Sequence, residues 1–231
     1  MSIKKLIPRK VKEAVKTGLR NADFFLTVKQ LLKLAPGRLP DRVLLDRLRS
    51  GWSNLGYTAD LDYIEEVAQR AVTARGPILE CGSGLTTIVL GLIAGRQGIQ
   101  TWTLENNESW YLKIEKVIKR FNLAGITLAL KPLCSYGTYS WYDPPLTMMP
   151  DHFSLVICDG PEESTPGGRY GLLPVLGERL GKESVILLDD ADRVIQAETL
   201  RKWQEQYGMV SRLCSSKDGG SFAIVTRQEP G

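Results

Sequence analysis

The chain of 231 residues contains only four cysteines, and no two of them stand close together: Cys81, Cys134, Cys158 and Cys214. A zinc knuckle and a redox dithiol both need closely spaced pairs, so neither is expected here. Three of the four cysteines lie in or beside apolar runs, which favours buried, reduced thiols in a cytosolic protein over a disulfide.

Long apolar runs are also absent. No run approaches the roughly 20 residues that a membrane-spanning helix needs, and the N-terminus lacks the continuous apolar core of a signal segment. These absences predict a cytoplasmic protein. Hydrophobic residues make up 43% of the chain and charged residues 24%, which excludes disordered and fibrous classes. The length suits one α/β domain with an N-terminal extension.

Charge is distributed unevenly along the chain. Residues 1–50 hold 13 Lys and Arg against 4 Asp and Glu, whereas the remainder holds 17 against 22. Such a basic arm could contact an anionic membrane surface or an acidic partner, and a nucleic acid is the less expected partner. The alternative is that these lysines and arginines form an ordinary solvated helix face.

Apolar spacings of three and four predict helices over 8–35 and 41–50, and a third that begins near Ala59. After a break at Arg75-Gly76-Pro77, short apolar runs alternate with helical stretches, as in a parallel sheet covered on both faces. Strands are predicted over 77–81, 100–105, 126–132, 153–159, 184–189, 209–214 and 221–226.

The last two predicted strands are joined by six residues, which is too short for a helical crossover and right for a hairpin. The predicted fold is therefore a Rossmann-like, doubly wound, seven-stranded sheet, mostly parallel, with an antiparallel C-terminal hairpin and N-terminal helices. Residues 1–75 are expected to form the helical extension that covers the pocket, and residues 76–231 the cofactor-binding domain.

The strongest motif follows the first predicted strand, where Glu80 precedes Gly82 and Gly84. Glycines there let the backbone turn sharply and approach a ligand closely. A dinucleotide fingerprint needs a third glycine three residues later, and Thr87 stands in that place. A carboxylate at Glu80 would repel a pyrophosphate, but it suits a ligand that carries an ammonium group.

This segment resembles the first motif of the class I S-adenosylmethionine (SAM)-dependent methyltransferases, which is an acid followed by Gly-x-Gly. The resemblance covers about residues 77–226. It implies that SAM is the cofactor and that Gly82 and Gly84 make room for its methionine part. An ordinary tight turn between strand and helix is the alternative for a bare Gly-x-Gly.

Further cofactor contacts are expected at the ends of the second and third strands. Glu105 stands 21 residues after Gly84, where an acid can accept hydrogen bonds from both ribose hydroxyls. Asn106 follows it as a candidate ligand, although this position also suits a helix cap. In the resembling family, residues after the third strand lie beside the adenine, which points to Ser135 and Tyr136; an ordinary loop is equally compatible with them.

Carboxylates end the next two strands. Asp159 follows the fourth strand, and Asp189 with Asp190 follows the fifth. Three acids on one rim repel one another unless a cation or a basic substrate is present. The pattern resembles metal-dependent O-methyltransferases, which implies a Mg²⁺ site formed by these three residues. The alternative is that Asp190 caps the following helix and Asp159 faces the cofactor.

The sequence therefore predicts an enzyme that methylates a hydroxyl of a small molecule or glycan, with Asp159 and Asp189 as catalytic residues and Asp159 also near the cofactor. The only histidine, His152, precedes the fourth strand at the opposite edge and is a poor general base. A homodimer is a further expectation. The competing hypotheses are an NAD(P)-dependent oxidoreductase, which the missing third glycine and the hairpin disfavour, and a catalytically idle SAM-binding or membrane-associated module.

Overall fold

The computed structural model describes residues 9–52 and 58–228. Three helices come first: α1 (Arg9–Leu31), α2 (Arg42–Gly51) and α3 (Leu61–Thr73). The alternating part follows: β1 (Ile78–Cys81), α4 (Leu85–Ile93), β2 (Thr101–Glu105), α5 (Glu108–Phe121), β3 (Ile126–Leu130), β4 (Leu133–Ser135), β5 (Ser140–Tyr142), β6 (Phe153–Cys158), α6 (Leu172–Leu176), β7 (Leu180–Leu188), α7 (Val194–Tyr207), β8 (Met209–Ser215) and β9 (Ser221–Arg227).

Seven of these strands form one sheet in the order β3-β2-β1-β6-β7-β9-β8. The first five in that order run parallel, whereas β9 lies antiparallel to both β7 and β8. The predicted mostly parallel sheet with a C-terminal hairpin is thus confirmed. The chain moves from β1 to β2 on one side and returns to β6 on the other side of β1, so a crevice opens between the carboxyl ends of β1 and β6.

Both faces of the sheet are buried because successive strand residues point to opposite sides. Ile78 belongs to the core under α1 to α5, while its neighbour Leu79 belongs to the core under α6 and α7. Leu155 and Val156 of β6 divide in the same way. The continuous apolar runs of the sequence therefore reflect two cores on one sheet.

The N-terminal helices share a core with the sheet. The second half of α1 is anchored by Phe24, Val28 and Leu31, which are buried. From α3, the buried Tyr63 donates a hydrogen bond to the backbone oxygen of Leu187. No helix among the described residues is long and apolar enough to cross a membrane.

One pair of strands is not predicted from the sequence, and several strands and helices begin or end at other residues than predicted. The segment after β3 forms a two-stranded antiparallel hairpin, β4 with β5, whose strands of three residues are too short to show an alternating pattern. Strand β7 starts at Leu180, whereas the sequence predicts a start at 184. The first part of the strand, 181–183, is exposed and polar and therefore lacks the apolar run by which a buried strand is predicted. Helix α1 ends at Leu31, four residues before the predicted end near Pro36.

Candidate active site

The loops after β1, β2, β6 and β7 surround a cavity of about 1000 Å³ at the carboxyl edge of the sheet. Its wall includes seven of the residues singled out from the sequence: Gly82, Gly84, Glu105, Asn106, Asp159, Asp189 and Asp190. The carboxyl ends of β1 and β6 meet at this cavity. The backbone nitrogens of Asp159 and Gly160 both donate hydrogen bonds to the carbonyl of Cys81. Three of the predicted positions, discussed below, do not reach this wall.

Glycine is required at the two positions after β1, Gly82 and Gly84, for different physical reasons. Gly82 has φ +86°, and a Cβ there would stand 2.7 Å from the backbone nitrogen of Gly160. Gly82 is thus needed for the packing of two loops as well as for the turn. Gly84 has extended backbone, and a Cβ there would meet only Thr86 Oγ1, at an ordinary 3.9 Å. Because Gly84 lines the cavity, its missing side chain leaves room for a ligand.

Glu80 does not line the cavity; it lies fully buried beneath it. One oxygen of its carboxylate, Oε2, accepts hydrogen bonds from Thr87 at 2.7 Å and from Thr103 at 2.8 Å. Thr87 in turn accepts a hydrogen bond from the backbone nitrogen of Gly84. Burial raises the pKa of Glu80 to about 7. Glu80 thus contacts the glycine loop through Thr87, and direct contact with the ammonium group of a ligand stays a prediction.

Glu105 lies at the end of β2 with 5% of its surface exposed, and it borders the cavity. Its carboxylate accepts hydrogen bonds from the backbone nitrogen and the hydroxyl of Ser83, and from the backbone nitrogen of Asn107 at 2.7 Å. Asn107, not Asn106, caps α5, because its side chain accepts from the backbone nitrogen of Trp110. Asn106 is therefore left facing the cavity.

The predicted adenine-side residues Ser135 and Tyr136 lie outside the cavity wall. They are exposed on the β4–β5 hairpin, where Tyr136 stacks on Tyr139 with ring centroids 5.4 Å apart. The hairpin instead brings Tyr142 to the wall. Tyr142 is fully buried, and its hydroxyl has no hydrogen-bond partner among the described residues. An unpaired buried hydroxyl beside a cavity is suited to binding a polar ligand atom.

The three predicted acids do come together. Oxygens of Asp159, Asp189 and Asp190 lie within 4.8 Å of one another. The guanidinium of Arg169 lies among them, with Nη2 at 3.2 Å from Asp159 Oδ1 and 3.2 Å from Asp190 Oδ2. Arg169 also donates to the backbone carbonyls of Asp159 and Asp189, so it joins the ends of β6 and β7.

Arg169 is only 3% exposed. The loop that carries it is closely packed: a Cβ on Gly167 would stand 2.5 Å from Tyr139 Cβ, and one on Gly168 would stand 2.9 Å from Ile195. Both glycines have positive φ, and together they turn the chain so that Arg169 points inward. Burial by itself lowers the pKa of Arg169, but the surrounding carboxylates more than reverse this and raise it.

The acids differ in environment. Asp189 is 8% exposed, whereas the side chains of Asp159 and Asp190 are 30% exposed. Burial, together with the charge of Asp159, raises the pKa of Asp189 well above its ordinary value. His152 is exposed and is not part of the cavity wall, as the sequence predicts.

Trp110 forms part of the cavity wall near Glu105, and Trp52 packs against it. Trp110 of α5 lines the cavity and donates from its indole nitrogen to the backbone carbonyl of Ser83. Its ring meets Trp52 edge to face at 6.1 Å, and the ammonium of Lys113 lies 4.1 Å from the centroid of Trp110. Within the N-terminal extension that is expected to cover the pocket, residues 53–57 lie outside the described residues.

Comparison with solved structures places this architecture. No family model and no curated protein matches the sequence. An SAH-bound methyltransferase from Podospora anserina superposes with a TM-score of 0.59 at 13% identity, over 97% of this chain and 99% of that one. An O-methyltransferase from Bacillus cereus in complex with SAH gives 0.58 at 15% identity, over 82% and 93%. Cofactor-bound Rv0187 from MTB gives 0.51 at 18%, over 98% and 100%. The chain therefore has the fold of the class I SAM-dependent methyltransferases.

Proposed function

We propose that this protein is a SAM-dependent methyltransferase. The observation that carries the proposal is the cavity at the crevice between β1 and β6, where Gly84 presents no side chain and Glu105 presents a carboxylate. The solved structures that share the fold include methyltransferases with bound SAH, which supports the same ligand here. The absence of a third glycine, with buried Thr87 in its place, continues to disfavour a dinucleotide.

Four residues at or beneath the cavity wall have distinct tasks in this proposal. Glu105 accepts hydrogen bonds from the ribose hydroxyls. Its carboxylate is already held in place by hydrogen bonds from Ser83 and Asn107. Gly84 leaves space for the methionine part, and Glu80 keeps the glycine loop in position through Thr87. Tyr142 offers its unpaired hydroxyl to the nucleoside. When bound, SAM supplies a methyl group activated by a positively charged sulfur.

We propose a hydroxyl of a small molecule or glycan as the methyl acceptor. Bound SAM would supply the methyl group, and a carboxylate of the chain would take up the hydroxyl proton that the methyl group replaces. Asp159 and Asp189 are the candidates to receive it, because both line the cavity. The raised pKa of Asp189 brings this carboxyl closer to the range in which a general base works near neutral pH.

Calorimetry tests the cofactor. SAM and SAH should bind with one site per chain, and NADH should not bind at the same concentrations. Binding of NADH in preference to both would overturn the proposal in favour of the oxidoreductase.

The acceptor class needs a turnover assay. Transfer of labelled methyl from SAM should be followed over a panel of hydroxylated small molecules and sugars, with amines and thiols of similar shape as the comparison. Asp189→Asn should lower kcat while SAM affinity stays within about threefold, since the change removes a proton acceptor and keeps the shape. Preferential methylation of amines or thiols would contradict O-methylation. SAM binding without turnover on any acceptor would favour the idle module.

A further inference from the structure

We infer that Arg169 takes the place of a divalent cation in this site, so that the carboxylates of Asp159, Asp189 and Asp190 need no metal. The three acids have the mutual distances of a metal site, but Arg169 and Arg193 already form ion pairs with two of them. This inference concerns the acceptor side of the cavity, and only its activity assay rests on the proposed methyl transfer.

The first argument is that three of the carboxylate oxygens already form ion pairs with arginine. Asp190 pairs through Oδ2 with Arg169 at 3.2 Å and through Oδ1 with Arg193 at 3.0 Å. Asp159 pairs through Oδ1 with the same nitrogen of Arg169 at 3.2 Å. Two of the three acids therefore already have cationic partners, and Asp190 has one on each of its oxygens.

The second argument is electrostatic. Magnesium binds oxygen at about 2.1 Å, so an ion on these oxygens would lie at most about 5 Å from Nη2 of Arg169. Arginine stays protonated at every physiological pH, and a doubly charged ion at that distance is repelled by it. Arg169 cannot turn away easily, because it is buried and its guanidinium also donates to the backbone carbonyls of Asp159 and Asp189.

Titration with Mn²⁺, followed by electron paramagnetic resonance, tests the inference without any assay of activity. The wild-type protein should show no saturable Mn²⁺ binding, with or without SAM. Arg169→Ala exposes the three acids and should bind Mn²⁺ at least about tenfold more tightly than the wild type. Arg193→Ala is the matched control: it also removes an arginine from Asp190, but it leaves Arg169 in place and should create no site.

The wild-type titration decides the matter even if Arg169→Ala does not fold. Saturable Mn²⁺ binding to the wild type that is lost in Asp190→Asn would overturn the inference. Turnover should also survive EDTA, and restoration by Mg²⁺ of activity lost to EDTA would overturn it. SAM affinity, measured on the same samples, tests the proposed cofactor separately, so the two failures are distinguishable.

A second inference comes from α1 and is independent of the cavity. We propose that the exposed face of this helix binds an anionic membrane surface. Its exposed side bears four large apolar side chains that nothing in the described structure covers: Val11 (49% exposed), Val15 (57%), Leu19 (67%) and Leu26 (54%). At 100° per residue, these positions fall within about 80° of one another, so they form a single stripe.

Basic residues flank this stripe. Lys12, Lys16 and Arg20 lie along one border of it, and α1 contains only two acids, Glu13 and Asp23. An apolar stripe of about 22 Å bordered by lysine and arginine is the pattern of a helix that lies in the plane of an anionic lipid surface. A second copy of the chain is the poorer occupant, because pairing two such helices would bring their basic borders together.

Sedimentation with vesicles tests this surface. The full chain should bind vesicles that contain phosphatidylserine, bind neutral phosphatidylcholine vesicles less, and dissociate as salt rises. Leu19→Glu should lose this binding, whereas Leu213→Glu should keep it; Leu213 lies on β8 and is equally exposed, at 65%. No binding to anionic vesicles at low salt would overturn the proposal. Dimerisation that Leu19→Glu abolishes would instead identify a second copy as the occupant.

Discussion

Glu105 accepts two hydrogen bonds from Ser83, at 2.9 Å from the backbone nitrogen and at 2.7 Å from the hydroxyl oxygen. This relationship ties the end of β2 to the glycine loop after β1, two strands that are neighbours in the sheet. The carboxylate is therefore positioned before any ligand arrives, and little further ordering is needed for it to bind a nucleoside.

Removal of this carboxylate should weaken cofactor binding. Glu105→Ala is expected to cost about 1–3 kcal/mol of SAM binding, because the ribose hydroxyls lose a charged acceptor. Glu108→Ala, three residues later on the exposed first turn of α5, is the control and should leave affinity unchanged. Equal affinities in calorimetry for the wild type and Glu105→Ala would remove Glu105 from the binding site.

The open space beside Gly84 gives a second prediction. Gly84→Val should weaken SAM binding at least about tenfold while the protein stays folded, since a side chain there enters the cavity and meets only an ordinary contact with Thr86. Gly181→Val, on the exposed start of β7, introduces the same side chain away from the cavity and should change nothing. Undiminished binding by Gly84→Val would show that the ligand does not approach this glycine.

Gly82 should behave differently from Gly84. The sequence alone suggests that Gly82→Val blocks the ligand without harm to the fold, but its Cβ would meet the backbone of Gly160. Melting curves should therefore show that Gly82→Val lowers stability, and this loss separates it from Gly84→Val.

Tyr142→Phe should separate binding from stability. The change removes a buried hydroxyl that lacks a partner among the described residues, so the melting temperature should stay the same or rise. If that hydroxyl binds the cofactor, SAM affinity should fall about 2- to 10-fold, the contribution of one hydrogen bond. A loss of stability with unchanged affinity would show that the hydroxyl serves the fold and not the ligand.

Stability should depend on pH through Glu80. Its pKa is raised from 4.5 to about 7 in the folded protein, so the folded state holds this proton more tightly than the unfolded chain does. The contribution is therefore fully present below pH 4.5 and is lost as pH rises to about 7, by at most about 3 kcal/mol. Glu80→Gln should be more stable than the wild type at pH 8, and this difference should shrink at pH 5. A pH-independent difference between the two melting temperatures would contradict this.

Most of the fold can be predicted from the pattern of apolar runs and from the spacing of the glycines. The apolar runs around Leu79 and Val156 predict buried parallel strands, and the six-residue link between β8 and β9 predicts their hairpin. Three-residue strands such as β4 and β5 leave no periodic signal, so the sequence does not indicate that their hairpin brings Tyr142 to the cavity. The prediction of Ser135 at the cavity rests on the family resemblance alone.

Arg169 could have been anticipated from charge balance alone. Acids at the ends of two adjacent parallel strands must meet, and Arg169 is the first basic residue after Asp159. What the sequence could not show is its direction, because that depends on the contacts of Gly167 and Gly168 with residues distant in the chain. The hydrogen-bond partners of Glu80 could not be predicted either, since the two threonines that donate to it come from β2 and α4.

The contact between Trp110 and Trp52 makes intrinsic tryptophan fluorescence a probe of the cavity. Trp110 borders the cavity, and its edge-to-face contact with Trp52 places a second indole just behind it, next to a buried part of α1. A ligand that displaces water from Trp110 changes the surroundings of a chromophore whose emission depends on polarity and on the nearby Lys113 ammonium. Occupancy of the site can therefore be followed by intrinsic fluorescence, with no label attached, and Trp110→Phe should silence the signal.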